Sequence, residues 1–198
     1  NLDFFIHTWY YNDNKPYRVD TPLDNSDISV DYIINKLSPK SILVEFQKKF
    51  DKIYINSKNW NCHHPTKNPN PSQNIQSMFY SIYKSNLLKK QYELENNFKY
   101  DCVIRCRFDY LFSKKYDLNE FDLDKLNIKN DCNHNSYSIN DHLSLSKSEI
   151  IDIYSDMYFN IDRYYDSGIE FNPEVMLGYH IYSNNIKVTK TLGSEESS

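Results

Sequence analysis

The stretch YDCVIRCRFDYLF, residues 100–112, contains an apolar core, two arginines one residue apart and an aspartate two positions later. The run 101–106 is typical of a short buried β-strand, because polar and charged residues bound its apolar centre. If the strand continues, Arg105, Arg107 and Asp109 lie on one face, since successive strand residues alternate between faces. The stretch therefore predicts a strand that ends in a charged, ligand-facing cluster.

Arginine is rare in this chain, which makes its positions informative. Lysine supplies most of the positive charge, and the only arginines are Arg18, Arg105, Arg107 and Arg163. A guanidinium binds a phosphate or carboxylate through two parallel hydrogen bonds, which an ammonium cannot do. Arg105 and Arg107 therefore suit a diphosphate or carboxylate ligand, and Asp109 suits a divalent metal or a ribose hydroxyl. The alternative is a structural Arg–Asp ion pair that ties the strand to a loop.

Length, charge and cysteine content limit the classes of protein to which this chain can belong. The 198 residues suffice for one domain, which we expect at 1–192 with a disordered tail at 193–198. The net charge of -4 argues against nucleic-acid binding. No apolar run approaches the roughly 20 residues that cross a bilayer, so we predict no transmembrane segment. Four cysteines are too few for a disulfide scaffold, which predicts reduced thiols and a cytoplasmic location.

Strand-like and helical patterns alternate along the chain. Strands are predicted at 2–9, 41–46, 101–106, 141–146 and 186–189, and helices at 28–37, from Ser72 to about 96, after Ser146 and from Pro173. Ser72 is the predicted N-cap of the second helix, and Ser146 with Glu149 forms a predicted capping box for the third. The alternation predicts an α/β fold with a mainly parallel central sheet flanked by helices. Ligands of such sheets bind beyond the carboxyl ends of the strands.

Four further residues are candidates for a site. His7 and Trp9 end the first strand, where they suit an acceptor or a nucleotide, with Trp9 as a stacking platform. Packing of the following loop is the alternative. Asp141 precedes a strand and suits a general base, or it belongs to a turn. Glu174 opens a helix, where it complements the helix dipole or serves as a base facing the cleft.

A zinc site is not predicted, although cysteine and histidine residues cluster in the sequence. The relevant residues are Cys62, His63, His64, Cys132 and His134. Adjacent residues rarely bind one ion together, and the usual zinc spacings are absent.

The ordered combination of these stretches resembles a group of nucleotide-sugar glycosyltransferase-like proteins found in bacterial surface-polysaccharide clusters and large DNA viruses. The resemblance covers most of residues 2–190. The residues that carry it are Arg105, Arg107, Asp109, Leu111 and Phe112 after the strand, then Asp141, Ser146 and Glu149, then Pro173 and Glu174. It implies a GT-A-like fold. Because the chain opens directly on an apolar strand pattern, we expect the domain to be incomplete at its N-terminus and to lack its first strand.

The resemblance also implies an activity. We expect a glycosyltransferase that moves a sugar from a nucleotide-diphosphate sugar to a glycan or other hydroxyl acceptor. The expected donor-binding residues are Arg105, Arg107, Asp109, His7 and Trp9, and the expected catalytic residues are Asp141, Glu174 and Arg107. Where a typical GT-A enzyme carries an Asp-x-Asp metal motif, this chain has Arg107 in place of the first carboxylate, so Asp109 binds Mn or Mg alone or the arginine partly substitutes for the metal. The alternative is a catalytically inactive module that binds a glycan or a protein partner.

Overall fold

The computed structural model is of mixed α/β class. It describes residues 2–10, 30–55, 71–108, 110, 112, 115–129 and 136–192. The chain divides into two compact units, Asn1–Glu95 and Asn96–Ser198. The predicted tail at 193–198 lies outside the described residues, and the single domain over 1–192 stays a prediction.

The described residues of the first unit form two parallel strands and two helices. Strands β1 (Phe5–Tyr10) and β2 (Ser41–Phe46) pair in parallel, with His7 opposite Leu43. Helix α1 (Val30–Leu37) lies between them in the chain. Helix α2 (Pro71–Glu95) packs on both strands, and its apolar stripe includes the buried Phe79 and Ile82. The sequence therefore predicted all four elements of this unit to within a few residues.

The start of α2 differs from the prediction in one respect. Ser72 lies inside the helix, and its Oγ accepts a hydrogen bond from Tyr54 N at 3.0 Å. Gln76 Nε2 donates to Lys52 O at 3.0 Å, so the same helical face holds the segment that follows β2. The predicted N-cap is therefore wrong. The Ser72 hydroxyl bonds to the backbone of Tyr54, in the segment after β2, and does not cap α2.

The second unit is built on a four-stranded sheet in the order β3–β5–β4–β6. Its strands are β3 (Val103–Cys106), β4 (Leu126–Lys129), β5 (Leu143–Ser146) and β6 (Val188–Leu192). Helices α3 (Ser148–Ser155), α4 (Ile161–Asp166) and α5 (Pro173–Ser183) complete it, with short 3₁₀ helices at Leu118–Glu120 and Asp156–Asn160. No helix in the described part of the chain is long and apolar enough to cross a bilayer.

The strand pairings differ from the mainly parallel central sheet that the alternation predicted. β4 and β6 are parallel, whereas β5 is antiparallel to both of its neighbours, β3 and β4. The described strands also form two small sheets instead of one. A parallel pair needs a crossover, usually a helix, but an antiparallel pair needs none. The described part of the β4–β5 connection, residues 136–142, contains no helix.

The two predicted helix starts of the second unit have opposite outcomes. Asn172 caps α5, since its Oδ1 accepts hydrogen bonds from the backbone N–H groups of Glu174 and Val175 at 3.0 and 3.1 Å. The capping box at Ser146 is wrong, because α3 begins at Ser148. The Ser146 hydroxyl instead donates to backbone carbonyls of the turn before β4, at 2.9–3.0 Å.

A close backbone approach fixes the segment that leads into β5. A Cβ at Gly178, in the middle of α5, would clash with the carbonyl of Tyr137. Ile139 N then donates to Glu174 O at 3.2 Å, at the start of the same helix. Glycine at 178 therefore allows residues 137–139 to lie directly against α5, which determines where the following residues, including Asp141, are placed.

Buried His180 joins α5 to the rest of the helical layer. Its Nε2 lies 2.7 Å from Ile153 O and its Nδ1 lies 2.8 Å from Tyr164 Oη. A carbonyl only accepts, so Nε2 carries the proton and Nδ1 accepts from the tyrosine hydroxyl. Burial is the largest cause that lowers the pKa of His180 below its ordinary 6.5, and the nearby Arg163 also lowers it.

This lowered pKa predicts a loss of stability in acid. Below about pH 6.5, His180 binds a proton in the unfolded chain but not in the folded protein. The free energy of unfolding therefore falls as the pH is lowered, until the pH reaches the lower pKa that His180 has in the folded protein. A His180→Gln variant lacks this proton. We therefore expect the stability difference between wild type and variant to shrink between about pH 7.5 and about pH 5 in urea unfolding. A difference that stays constant with pH would contradict the prediction.

Candidate functional site

Three motifs that lie far apart in the sequence meet in the second unit. Arg107 N, just after β3, donates to His142 O at 3.3 Å, beside Asp141. Ile139, two residues before Asp141, donates to Glu174 at the start of α5. The carboxyl end of β3, the segment before β5 and the N-terminus of α5 therefore converge. This convergence of Arg107, Asp141 and Glu174 is the candidate functional site.

Arg105 lies within β3, two residues before Arg107. It pairs in register with Ser144 of β5, so both side chains are on the same face of the sheet. Its guanidinium Cζ lies 6.0 Å from the ring centroid of Tyr154 on α3. Its Nη1 is buried and has no hydrogen-bond partner among the described residues. The Arg105 side chain thus reaches α3, where the Tyr154 ring contacts its guanidinium in a cation–π interaction.

Burial and nearby charges shift the pKa of Tyr154. Burial raises the pKa of this tyrosine above its ordinary 10.0. The positive charge of Arg105 opposes that rise, and the negative charge of Asp141 adds to it. The geometry places the Arg105 guanidinium beside this ring, with Cζ 6.0 Å from the ring centroid.

Asp141 occupies a tight turn that ends at β5. Its side chain is 6% exposed, and its Oδ1 lies 3.4 Å from Nε2 of the half-exposed His142. Asn140 Oδ1 accepts from His142 N at 2.8 Å, which closes the turn. A buried carboxylate beside an imidazole at the edge of a sheet has the chemistry of a general base that is held in place.

Glu174 is the half-buried acid in the first turn of α5. A carboxylate there is stabilised by the helix dipole and by the N–H groups at the start of the helix. This position is compatible with both roles considered for Glu174, an acid that complements the helix dipole and a catalytic base. The backbone contact between Ile139 and Glu174 places it at the same edge as Asp141.

The first unit brings together the other two candidates, His7 and Trp9. His7 Nε2 donates to Glu45 Oε2 at 3.0 Å, and Tyr80 Oη donates to the same carboxylate at 3.1 Å. The Trp9 ring stacks on Tyr80 with centroids 5.3 Å apart and meets the His7 ring edge-on at 4.7 Å. Trp9 and Glu45 lie toward the carboxyl ends of β1 and β2, whereas His7 lies in the middle of β1 and not at its end as predicted, because the strand runs on to Tyr10.

Burial and nearby charges act in opposite directions on the pKa of His7. Burial lowers the pKa of His7 below 6.5, the hydrogen bond and charge of Glu45 oppose that change, and the charge of Lys84 lowers the pKa further. Since Nε2 donates to the carboxylate, Nδ1 is an acceptor, and it has no partner among the described residues. His7 therefore packs within the first unit, against Glu45 and the rings of Trp9 and Tyr80.

The remaining predicted residues fall outside the described part of the chain. These are Asp109 and Leu111, and the cysteine and histidine residues of the zinc pattern, Cys62, His63, His64, Cys132 and His134. Within the described residues, no group of three or more His, Cys, Asp or Glu side chains could hold a metal ion. The metal prediction rests on Asp109 and stays a prediction.

Four residues of these clusters were not predicted from the sequence. Tyr154 was expected only as an apolar position of an amphipathic helix, and Ser144 only as part of a strand. Glu45 and Tyr80 belong to elements that were predicted but not singled out. The sequence signal for Ser144 is only the alternation of leucine with serine in LSLS at 143–146, and the burial of all four residues is visible only in the structure. A polar face on a fully buried strand indicates hydrogen bonding or ligand contact on that face.

The chain matches no protein-family model, no curated protein and no solved structure. A function must therefore be argued from the geometry of the two clusters and from the resemblance of the motifs.

Proposed function

We propose that this chain is a cytoplasmic glycosyltransferase with a GT-A-like fold, which moves a sugar from a nucleotide-diphosphate sugar to a hydroxyl of a glycan or other acceptor. One observation carries the proposal. The Arg-x-Arg strand end, the Asp141 turn and the Pro-Glu helix start were singled out separately, and two backbone hydrogen bonds join them at one edge of the second unit.

The chemistry required by this reaction fits the residues at the edge. An acceptor hydroxyl attacks the anomeric carbon, its proton passes to a base, and the bond to the diphosphate breaks with the electron pair leaving on the phosphate oxygen. Asp141 is our candidate for the base, with Glu174 as the second choice. Arg107 is the candidate for the charge that stabilises the leaving diphosphate. Arg105, His7 and Trp9 remain proposed donor contacts, and Asp109 remains the proposed ligand of Mn or Mg.

A catalytically inactive module that binds a glycan or a protein partner is the second candidate. The first unit favours it, because the half-buried Trp9 ring lies in one cluster with Glu45, whose side chain is 32% exposed. An aromatic ring beside a hydrogen-bonding carboxylate can contact both the apolar face and the hydroxyls of a sugar.

Thermal unfolding and turnover with the same ligands test the proposal. The purified full chain is heated with UDP-glucose, UDP-galactose, UDP-N-acetylglucosamine or GDP-mannose, each with Mn or Mg. A donor present at about 100 times its Kd should raise the Tm by roughly 5–10 °C. Sugar transfer or slow hydrolysis of the same donor should accompany the shift. A Tm shift without turnover would favour the binding module, and no shift with any nucleotide sugar would contradict a glycosyltransferase.

A further inference from the structure

Asp141 and His142 are neighbours in the turn before β5, yet their side chains differ in exposure. The Asp141 side chain is 6% exposed, whereas the His142 side chain is 43% exposed. Asp141 Oδ1 lies 3.4 Å from His142 Nε2, which is within ion-pair distance. A nearly buried carboxylate is therefore in contact with an imidazole that reaches solvent.

The backbone of His142 is held from two sides. His142 N donates to Asn140 Oδ1 at 2.8 Å, and His142 O accepts a hydrogen bond from Arg107 N at 3.3 Å. The next residue, Leu143, is the first residue of β5 and pairs with Cys106 of β3. The turn and the end of β3 thus fix the backbone of His142, which places its imidazole beside the carboxylate.

The burial of Asp141 creates a difficulty for a general base. In the proposed reaction, the O–H bond of the acceptor breaks and its proton passes to the Asp141 carboxylate. That proton must leave before the next turnover, but a side chain that is 6% exposed has little contact with the water that could take it. An imidazole can take up a proton and release one to water near neutral pH, which is why histidine serves as a proton shuttle. His142 has both the position and the exposure for this transfer.

The distance between the two side chains suits a relay that is completed when the substrate binds. Proton transfer needs heavy atoms about 2.6–3.2 Å apart, and catalytic hydrogen bonds are often longer in the ligand-free protein. A small rotation of the half-exposed imidazole would bring Nε2 of His142 closer to the carboxylate without moving the backbone.

We propose that His142 is the proton relay of the site. Asp141 takes the proton of the acceptor hydroxyl and passes it to His142 Nε2, and the imidazolium then releases a proton to water. The carboxylate is ionised again and the imidazole is neutral again, so each turnover releases one proton to solvent and consumes neither group. This inference rests on the proposed function and adds His142 to the residues that carry the reaction.

The test compares His142→Ala with wild type in the full chain, with the nucleotide sugar that stabilises wild type. The alanine variant should lose about 10²-fold in kcat, the lower end of what proton transfer by a side chain contributes. KM should change little, since the imidazole is not proposed to bind the donor. The Tm should stay close to that of wild type, because the side chain that is removed lies partly in solvent.

Two further measurements separate proton transfer from a structural role. His142→Gln retains a side chain that can donate a hydrogen bond to Asp141 but cannot carry a proton, so its kcat should stay near that of the alanine variant. Added imidazole should restore turnover in His142→Ala, and the more basic 4-methylimidazole should restore it further. In the double variant Asp141→Asn, His142→Ala, imidazole should have no effect, because the proton never reaches the relay.

Lys147→Met is the matched control in the same unit. The Lys147 side chain is 42% exposed, and its Nζ lies 2.6 Å from Asp124 Oδ1, so this variant also removes a half-exposed partner of a carboxylate. Its kcat should equal that of wild type, and imidazole should leave it unchanged.

The possible outcomes distinguish the relay from the proposed function. Full activity in His142→Ala, or recovery in His142→Gln, would overturn the relay and leave the glycosyltransferase proposal intact. A slow alanine variant that imidazole does not accelerate would also overturn it, since His142 would then act through structure alone. If wild type neither transfers the sugar nor hydrolyses any nucleotide sugar, the proposed function fails and the relay fails with it.

Discussion

Replacing Lys89 with methionine is expected to lower the free energy of unfolding by about 3–5 kcal/mol, the cost of removing one partner of a buried ion pair. Lys89 and Glu93 lie one turn apart on α2, with side chains 3% and 1% exposed and with Nζ 3.5 Å from Oε2. Methionine retains the apolar stem of lysine but removes the charge. The Glu93 carboxylate then stays buried beside a thioether, which explains the large effect. Urea unfolding monitored by circular dichroism measures the change.

Two further variants separate charge from packing. The double variant Lys89→Met, Glu93→Leu should recover part of the loss, because it also removes the carboxylate that the single variant leaves without the Lys89 charge. Lys40→Met removes the exposed pair with Asp3 in the same unit, at 3.7 Å, and should cost less than about 1 kcal/mol. If Lys89→Met and Lys40→Met have equal effects, the buried pair does not contribute as described.

Replacing Asp141 with asparagine is expected to reduce sugar transfer by about 10²–10⁴-fold, the usual contribution of a general base. Asparagine has the same shape as aspartate but cannot take a proton from the acceptor hydroxyl. The loss should therefore appear in kcat, measured with the nucleotide sugar that stabilises wild type. The Tm of the variant should remain close to that of wild type, since the substitution leaves no cavity.

The matched control for this substitution is Glu149→Gln. Glu149 is an exposed acid in the first turn of α3, and its change to glutamine should leave kcat unaltered. Full activity in Asp141→Asn would remove Asp141 from the base role and leave Glu174 as the candidate. A folded Asp141→Asn variant that loses only the response to the sugar moiety would assign Asp141 to binding alone.

Local pattern predicted most helices and strands. β2 has the predicted bounds 41–46, and α5 begins at Pro173 as predicted. Such elements are determined by residues close in sequence, through strand-like apolar runs, helical periodicity and capping side chains. β4 was missed because its sequence, LNIK, is short and half polar. Asn127 is nevertheless buried, and its Nδ2 donates to three backbone carbonyls at 2.9–3.2 Å.

Strand partners and the use of serine hydroxyls could not be predicted locally. A hydroxyl accepts or donates wherever the fold brings a partner, so Ser72 and Ser146 bond to distant backbone groups and do not cap their own helices. Strand direction is likewise set by which strands meet, and β5 pairs antiparallel with both neighbours. These choices depend on hydrogen bonds between residues that are far apart in sequence.

By itself, the sequence determined which side chains are available for chemistry: scarce arginines at a strand end, a carboxylate before a strand and an acid at a helix start. Only the tertiary structure decided that Arg107, Asp141 and Glu174 share one edge, since long-range backbone hydrogen bonds create that edge. It also decided that Arg105 lies opposite Ser144 and beside the ring of Tyr154. The physical reason is that burial and pairing register, which no local pattern encodes, set the partners of each polar group.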